Sequence, residues 1–192
     1  MDARYIKAIT ILPAQVTVFG KKLLPFCFRH RVMLEAVDSP FIKPECKDFK
    51  PIDIVIAAKI ISTFDKMEMV KPLSFWEKFK FQIYKYNKHK VAEDVGRIIG
   101  HIYHSCSYPK LWEKEGKKTQ EKAPWVLTCL ANNVRNGCSY EEAWTMPEGE
   151  AVWMSISHAI YNGSKIEILS TQEEEQLELI RKQMENKNQP TE

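Results

Sequence analysis

Leu130-Ala-Asn-Asn-Val-Arg-Asn-Gly-Cys-Ser-Tyr-Glu-Glu-Ala-Trp-Thr-Met-Pro-Glu-Gly-Glu-Ala-Val-Trp153 reads as helix, stop, helix, stop, helix. Gly137 suits the left-handed position after a helix C-terminus, so it closes a helix running from Trp125 to Asn136. Ser139 and Glu142 stand three apart, the spacing at which two side chains cap each other's backbone N–H groups. Thr145 and Glu148 repeat that spacing with Pro147 between them, which predicts a second box and a helix running to about Asn162 before Gly163. Ser170 and Glu173 form a third box. The helix that follows carries Glu173, Glu174 and Glu175 in its first turn and Arg181 and Lys182 later, matching the helix dipole. Its thin apolar stripe is Leu177, Ile180 and Met184, and residues 186–192 are expected to fray. Lys165 to Leu169 reads as one short strand.

Toward the N-terminus the pattern changes. Ile9 and Ile11 alternate with polar or small neighbours, Pro13-Ala14 interrupts, and Val16 and Val18 alternate again before the turn residues Gly20-Lys21 and then Leu23-Leu24. This predicts a small hairpin or meander. A helix follows over Phe28 to Val37, stopped by Ser39-Pro40, and residues 40–50 read as a loop. Ile52 to Ile61 is apolar nearly all round; a strand competes, but length and Ala57-Ala58 favour a buried helix. From Ser74 to Asn87, Phe75, Trp76, Phe79, Ile83 and Tyr86 fall within one arc of about 100° at helical spacing, which marks them as a core stripe. The next helix, about Val91 to Cys106, carries its stripe at Val91, Val95, Ile98, Ile99 and Ile102. Gly96 and Gly100 on its flank suggest close helix approach. Residues 107–123 are polar and charged and read as a linker or long loop. The predicted fold is mainly α: about six or seven helices, a small N-terminal β-hairpin or meander and a charged C-terminal helix. Its parts are 1–106, the linker 107–123, a capped helical subdomain 124–169 and the tail 170–192.

The chain has 192 residues, of which 44% are apolar and 28% charged, the mix of a globular protein rather than a disordered one. The net charge of +3 is too small to demand a nucleic-acid partner. No run reaches the ~18 apolar residues of a membrane span, and Met1-Asp2-Ala3-Arg4 does not begin a signal peptide. The five cysteines are odd in number and form no Cys-x-x-Cys, which fits free thiols in a reducing cytoplasm.

Three constellations carry chemistry in principle. His101, His104 and Cys106 share ligand-like spacing, but the helical wheel sets Cys106 far from His104, which favours a surface His pair over a metal site. Lys78 to Lys90 interleaves Lys with aromatics, and residues 66–122 hold 13 Lys/Arg against 7 Asp/Glu, a local +6. If Phe79, Ile83 and Tyr86 are core, then the lysines are its solvated back, and Phe81 and Tyr84 are left over there as a contact surface. Trp125 and Trp153 read as core and Trp144 as exposed. Asn133 falls in an apolar arc and is expected to bond a neighbouring turn. No Gly-x-Ser-x-Gly elbow or glycine-rich phosphate loop occurs. Ser155, Ser157 and His158, or Cys27 with His30, make no triad by adjacency alone. The sequence therefore points to no catalytic residue, cofactor or metal.

Two segments together resemble a known group. They are Gly20 to Pro40, followed by Ile52–Ile61, and Leu130 to Trp153, followed by the Glu-rich helix; together they span about half of the chain. They resemble small proteins of tailed-phage and prophage structural gene clusters, and among these the tail assembly chaperones. The resemblance implies a mostly helical, non-enzymatic protein in the cytoplasm of a bacterial host. It also implies a long helical tape measure protein as client, shielded before the tail tube polymerises. Phe81, Tyr84, Trp112 and Trp144 are the expected exposed anchors, and Leu177, Ile180 and Met184 are expected to dock a partner or a second copy. The alternatives are a head–tail connector retained in the virion, and a small metal-dependent or nucleic-acid-binding protein using His101, His104 and the Lys78–Lys90 face.

Overall fold

Three short signals at the C-terminal half act locally. Ser139 caps α8 (Tyr140–Thr145): its hydroxyl accepts from the Glu142 N–H at 3.2 Å and Glu142 accepts from the Ser139 N–H at 3.0 Å. The same exchange between Ser170 and Glu173 starts α10 (Thr171–Lys187). Gly137 takes φ 105° directly after α7 (Trp125–Arg135) and its cap Asn136. The predicted box at Thr145 is absent. Thr145 closes α8 and donates its hydroxyl to the Glu141 carbonyl, and α9 (Glu148–Tyr161) starts from Pro147 with no side-chain cap.

The computed structural model describes residues 3–10, 15–43, 45, 48–112 and 123–187. Ile11, Pro13-Ala14, Pro44, Cys46, residues 113–122 of the expected linker and residues 188–192 lie outside the described residues. The remaining elements are α1 (Ala3–Thr10), β1 (Thr17–Val18), β2 (Lys21–Lys22), α2 (Phe28–Ala36), α3 (Pro51–Ile61), α4 (Lys66–Val70), α5 (Phe75–Tyr84) and α6 (Lys88–Ser105), with a 3-10 turn at Pro40–Ile42. The molecule is mainly helical, with ten α-helices among the described residues rather than six or seven. The hairpin is present, with Phe19 and Gly20 both at positive φ (51° and 76°), the conformation that a two-residue turn with native twist requires. The first expected strand is instead α1, which carries Ile9 and lays Tyr5 edge-on against Trp153 at 5.5 Å. Lys165–Leu169 forms only a single bridge, Ile168 to Leu111, flanked by Trp112 N–H to the Glu167 carbonyl and Leu169 N–H to the Lys110 carbonyl. Residues 110–112 are thereby pinned to the segment before α10.

Two apolar cores result. The larger gathers Val18, Leu23, Phe26, Leu34, Ile54, Ile60, Ile61, Ile98 and Ile102 from the hairpin, α2, α3 and α6. The smaller gathers Phe28, Val126, Leu130, Ala143, Ala151 and Val152 from α2, α7, α8 and α9. Helix α2 faces both. The chain just before it crosses to α9, where the Glu148 N–H donates to the Phe26 carbonyl at 2.9 Å. The close helix approach expected at Gly96 and Gly100 is not there: a Cβ at either position meets nothing within 4 Å. The tight site is Gly149, where a Cβ would lie 2.8 Å from the Ser105 carbonyl oxygen, so the start of α9 packs backbone to backbone on the end of α6.

Candidate functional site

Helix α5 sits with its apolar stripe outward. Ser74 caps it in a box with Glu77, and Glu77 also pairs with Lys21 of β2 at 2.8 Å. The Lys21 ammonium beside it holds the Glu77 carboxyl down at about 2. Four and seven residues on from Glu77 stand Phe81 and Tyr84, both half-buried. Tyr84 lies edge-on to Phe19 at 5.2 Å and donates its hydroxyl to the buried Asp94 at 3.1 Å. Burial, with Asp94 next, raises the Tyr84 phenol above its ordinary value, so it stays a neutral donor. Glu77, Phe81 and Tyr84 are therefore the inner face, and the anchor role expected of Phe81 and Tyr84 as exposed side chains is corrected.

The opposite arc carries the stripe expected to be core. Phe75 is 76% exposed, Trp76 69%, Phe79 54%, Ile83 65% and Tyr86 78%. Phe75 and Trp76 meet edge-on at 5.8 Å and Trp76 and Phe79 at 6.5 Å, so these three rings form one cluster on the first turns of α5, with Ile83 farther along the same arc and Tyr86 just past the helix end. Lys78, Lys80 and Lys88 are exposed beside it and have no carboxylate partner among the described residues. At the foot of α5, Pro72 and Leu73 join Met33, Ile56, Ile60 and Met69 in an apolar groove of about 330 Å3. The lining of this groove ends at Leu73, two residues before α5 begins. A set of large side chains this exposed and this aligned is the mark of an interaction surface. Sequence reasoning places this row in the core because a hydrophobic stripe by itself does not say which side of a helix is buried.

The other expected anchors divide. Trp144 is half-buried against the smaller core, with the Lys66 ammonium 5.9 Å above its ring and Tyr140 edge-on, so it is not a free surface anchor. Trp112 is exposed beside the Leu111–Ile168 bridge. Leu177, Ile180 and Met184 are exposed on α10, where every residue from 171 to 184 is exposed except Glu174. Glu174 is held by Arg4 at 3.2 Å and by Lys110. Trp153 is core as expected, its indole N–H donating to the Ser107 carbonyl; Trp125 is partly open, with Arg31 over its ring. Asn133 is wholly buried and donates to the Ala151 carbonyl at 2.9 Å, across to α9 rather than to a turn.

The titratable clusters are internal. His101 is buried rather than at the surface, and its Nε2 bonds the Leu24 carbonyl at 2.7 Å, so that nitrogen is a donor. Burial lowers its pKa. Among the described residues no group of three His, Cys, Asp or Glu is placed to hold a metal. Cys27 Sγ lies 3.4 Å from His30 Nδ1, and both side chains are wholly buried. Burial pushes the Cys27 thiol up to about 12 and the His30 imidazole down to about 4, so the pair is neutral and sealed from solvent. The four described cysteines are unpaired thiols. The most connected polar group is Glu148, which is 0% exposed. Arg31 Nε donates to its two oxygens at 2.7 and 2.8 Å, and the Tyr108 hydroxyl donates to it as well. Burial pushes the Glu148 carboxyl up and Arg31 pulls it back.

No helix among the described residues is long and apolar enough to cross a membrane. No protein-family model, curated protein or solved structure matches the chain.

Proposed function

We propose that this protein is a non-enzymatic binding factor that captures an amphipathic helix of a larger partner on the outer face of α5. The observation that carries this is the exposed row Phe75, Trp76, Phe79 and Ile83, continued by Tyr86 just past the end of α5, on a helix anchored from behind by Glu77, Phe81 and Tyr84. A partner helix with apolar residues at i, i+3, i+4 and i+7 would lay its stripe along this row and into the groove below it. Aromatic anchors give most of the binding energy in such contacts. The unpaired lysines beside the row favour a client with acidic flanks. The sequence resemblance supplies a kind of client: the long, helical tape measure protein that a phage tail assembly chaperone shields before polymerisation.

The test is affinity capture from the native host by the full chain and by its Ile83→Asp variant. The reading expects one very long helical protein with the wild type, at least tenfold less of it with the variant, and none of this chain in finished particles. Capture that is indifferent to the variant removes the α5 reading. Retention in purified virions, together with portal or neck proteins, makes the chain a structural connector instead.

A further inference from the structure

We propose that α10 of a second copy of this chain occupies the α5 face when no client is bound, in a reciprocal two-fold dimer. This rests on the reading of α5 as a docking surface and names its resting occupant. Lys78 to Lys90 holds five lysines and no acid, of which Lys78, Lys80 and Lys88 have no carboxylate partner among the described residues, whereas α10 brings four glutamates before its first base, Arg181; with Glu173 capping the helix and Glu174 held by Arg4 and Lys110, Glu175 and Glu178 face outward. The two segments are therefore opposite in charge, the arrangement that steers and registers an encounter. Both are also apolar and uncovered. Leu177, Ile180 and Met184 fall on one side of α10 and span about 10 Å, and Phe75 to Ile83 spans about 12 Å at 1.5 Å per residue. The start of α10 is fixed to the body: Glu174 sits between Arg4 and Lys110, and Arg4 also donates to the Leu169 carbonyl. The arm beyond Glu174 is exposed through residue 184.

A one-way contact of this kind would leave a free α5 and a free α10 at the ends and add further copies. A reciprocal exchange closes at two. It covers five stripe residues and three α10 residues on each copy, and at on the order of 100 Å2 per large side chain this reaches the ~800 Å2 per partner of an ordinary stable interface. The dimer stores the apolar row out of water, and a client helix with a longer stripe displaces the short α10 stripe.

Sedimentation of the full chain across concentration tests this. The wild type is expected to dimerise. Ile83→Asp and, separately, Ile180→Asp are expected to weaken the dimer about 100-fold, since each sets an unpaired charge in its centre. Both positions are exposed, so circular dichroism should show both variants folded. A photo-crosslinker at Phe79, used on mixed heavy- and light-isotope chains, should join the peptide containing Ile180 between copies. A wild type that stays monomeric, a dimer that survives either substitution, or a crosslink confined to one chain would overturn the proposal. So would α5-dependent flotation of a monomer with phosphatidylserine vesicles, which would make the basic aromatic face a lipid contact. The outcomes separate from those for the client. A monomer whose client capture still fails with Ile83→Asp refutes only the dimer. A dimer lost with Ile83→Asp while capture persists refutes only the client reading.

Discussion

At the scale of single residues, the molecule is held by buried polar groups that leave little sequence signature. Glu148 belongs in sequence to a helix start, where an acid is unremarkable. In the structure it takes two bonds from Arg31 and one from Tyr108, joining α2, the residues after α6, and α9. Removing one member of such a pair strands the other charge. Glu148→Gln is therefore expected to destabilise the protein by about 3 kcal/mol, read as a lowered urea midpoint. The glycines make a contrasting set. Gly149→Ala drives a methyl group onto the Ser105 carbonyl and should cost about 1–3 kcal/mol. Gly96→Ala and Gly100→Ala, in open space within α6, should each gain about 0.5–1 kcal/mol. The same denaturation series ranks all three.

His30 sets a pH dependence whose sign follows from its surroundings. Burial lowers its pKa to about 4 from the ordinary 6.5. Between those values the unfolded chain takes up a proton that the native chain refuses. Stability is thus complete above about pH 6.5 and falls as the pH drops toward 4, by about 3 kcal/mol over the full window. His101, lowered by its own burial, adds in the same direction. Most carboxylates titrate below pH 5, so a fall in denaturation midpoint between pH 6.5 and 5 reports the histidines. A flat profile there would contradict the assignment.

At the scale of elements, legibility follows how local the cause is. Ser139–Glu142 and Ser170–Glu173 bond within four residues, and both helices start where the sequence puts them. The hairpin is equally local, but its turn falls at Phe19-Gly20, one residue before the expected Gly20-Lys21, and Lys21 belongs to β2; α3 is apolar all round, so its burial does not depend on which face turns inward. The pattern Ile9, Ile11 was too short to separate strand from helix, and contact with Trp153 on α9 decided for helix. Helix α5 shows the limit. Its hydrophobic stripe is strong, but its orientation is set by three partners outside it: Lys21 for Glu77, and Phe19 and, on the next helix, Asp94 for Tyr84. A wheel cannot show which face finds them, so by its pattern alone the sequence puts the five residues of the candidate site in the core and Phe81 and Tyr84 on the surface. The reversal predicts an unusual mutational pattern. At concentrations low enough to keep the chain monomeric, Phe79→Ser and Ile83→Ser should leave the melting temperature within about a degree or raise it, because no buried contact within the chain is lost. Tyr84→Ala should lower stability by about 2–4 kcal/mol through lost packing and the lost hydrogen bond to buried Asp94, which keeps its pairs with Lys90 and Arg97. The opposite ranking would mean that α5 is turned the other way.

At the scale of the whole molecule, the question is whether two cores make one cooperative unit. The charged stretch between them suggests a split into 1–106 and 124–169. The structure stitches those parts together at several points: α2 gives Leu34 to one core and Phe28 to the other, Phe26 and Glu148 share a backbone bond, and Arg31 reaches Glu148 across the boundary. Gly149 lets the ends of α6 and α9 touch. Two cores that share a helix and a buried charge pair lose both when either opens, because each would expose the other's inner surface. Urea unfolding should therefore give coincident curves by far-ultraviolet circular dichroism, which weights the helices of the larger core, and by tryptophan fluorescence, which weights Trp125, Trp144 and Trp153 around the smaller one. Arg31→Met removes the cross-boundary charge while keeping much of the side-chain volume. It leaves Glu148 buried without its guanidinium, where burial alone works against the charged carboxylate. The two curves should then separate, with the fluorescence midpoint falling first. Coincident curves in the variant would place the coupling in the apolar contacts of α2 instead of in the ion pair.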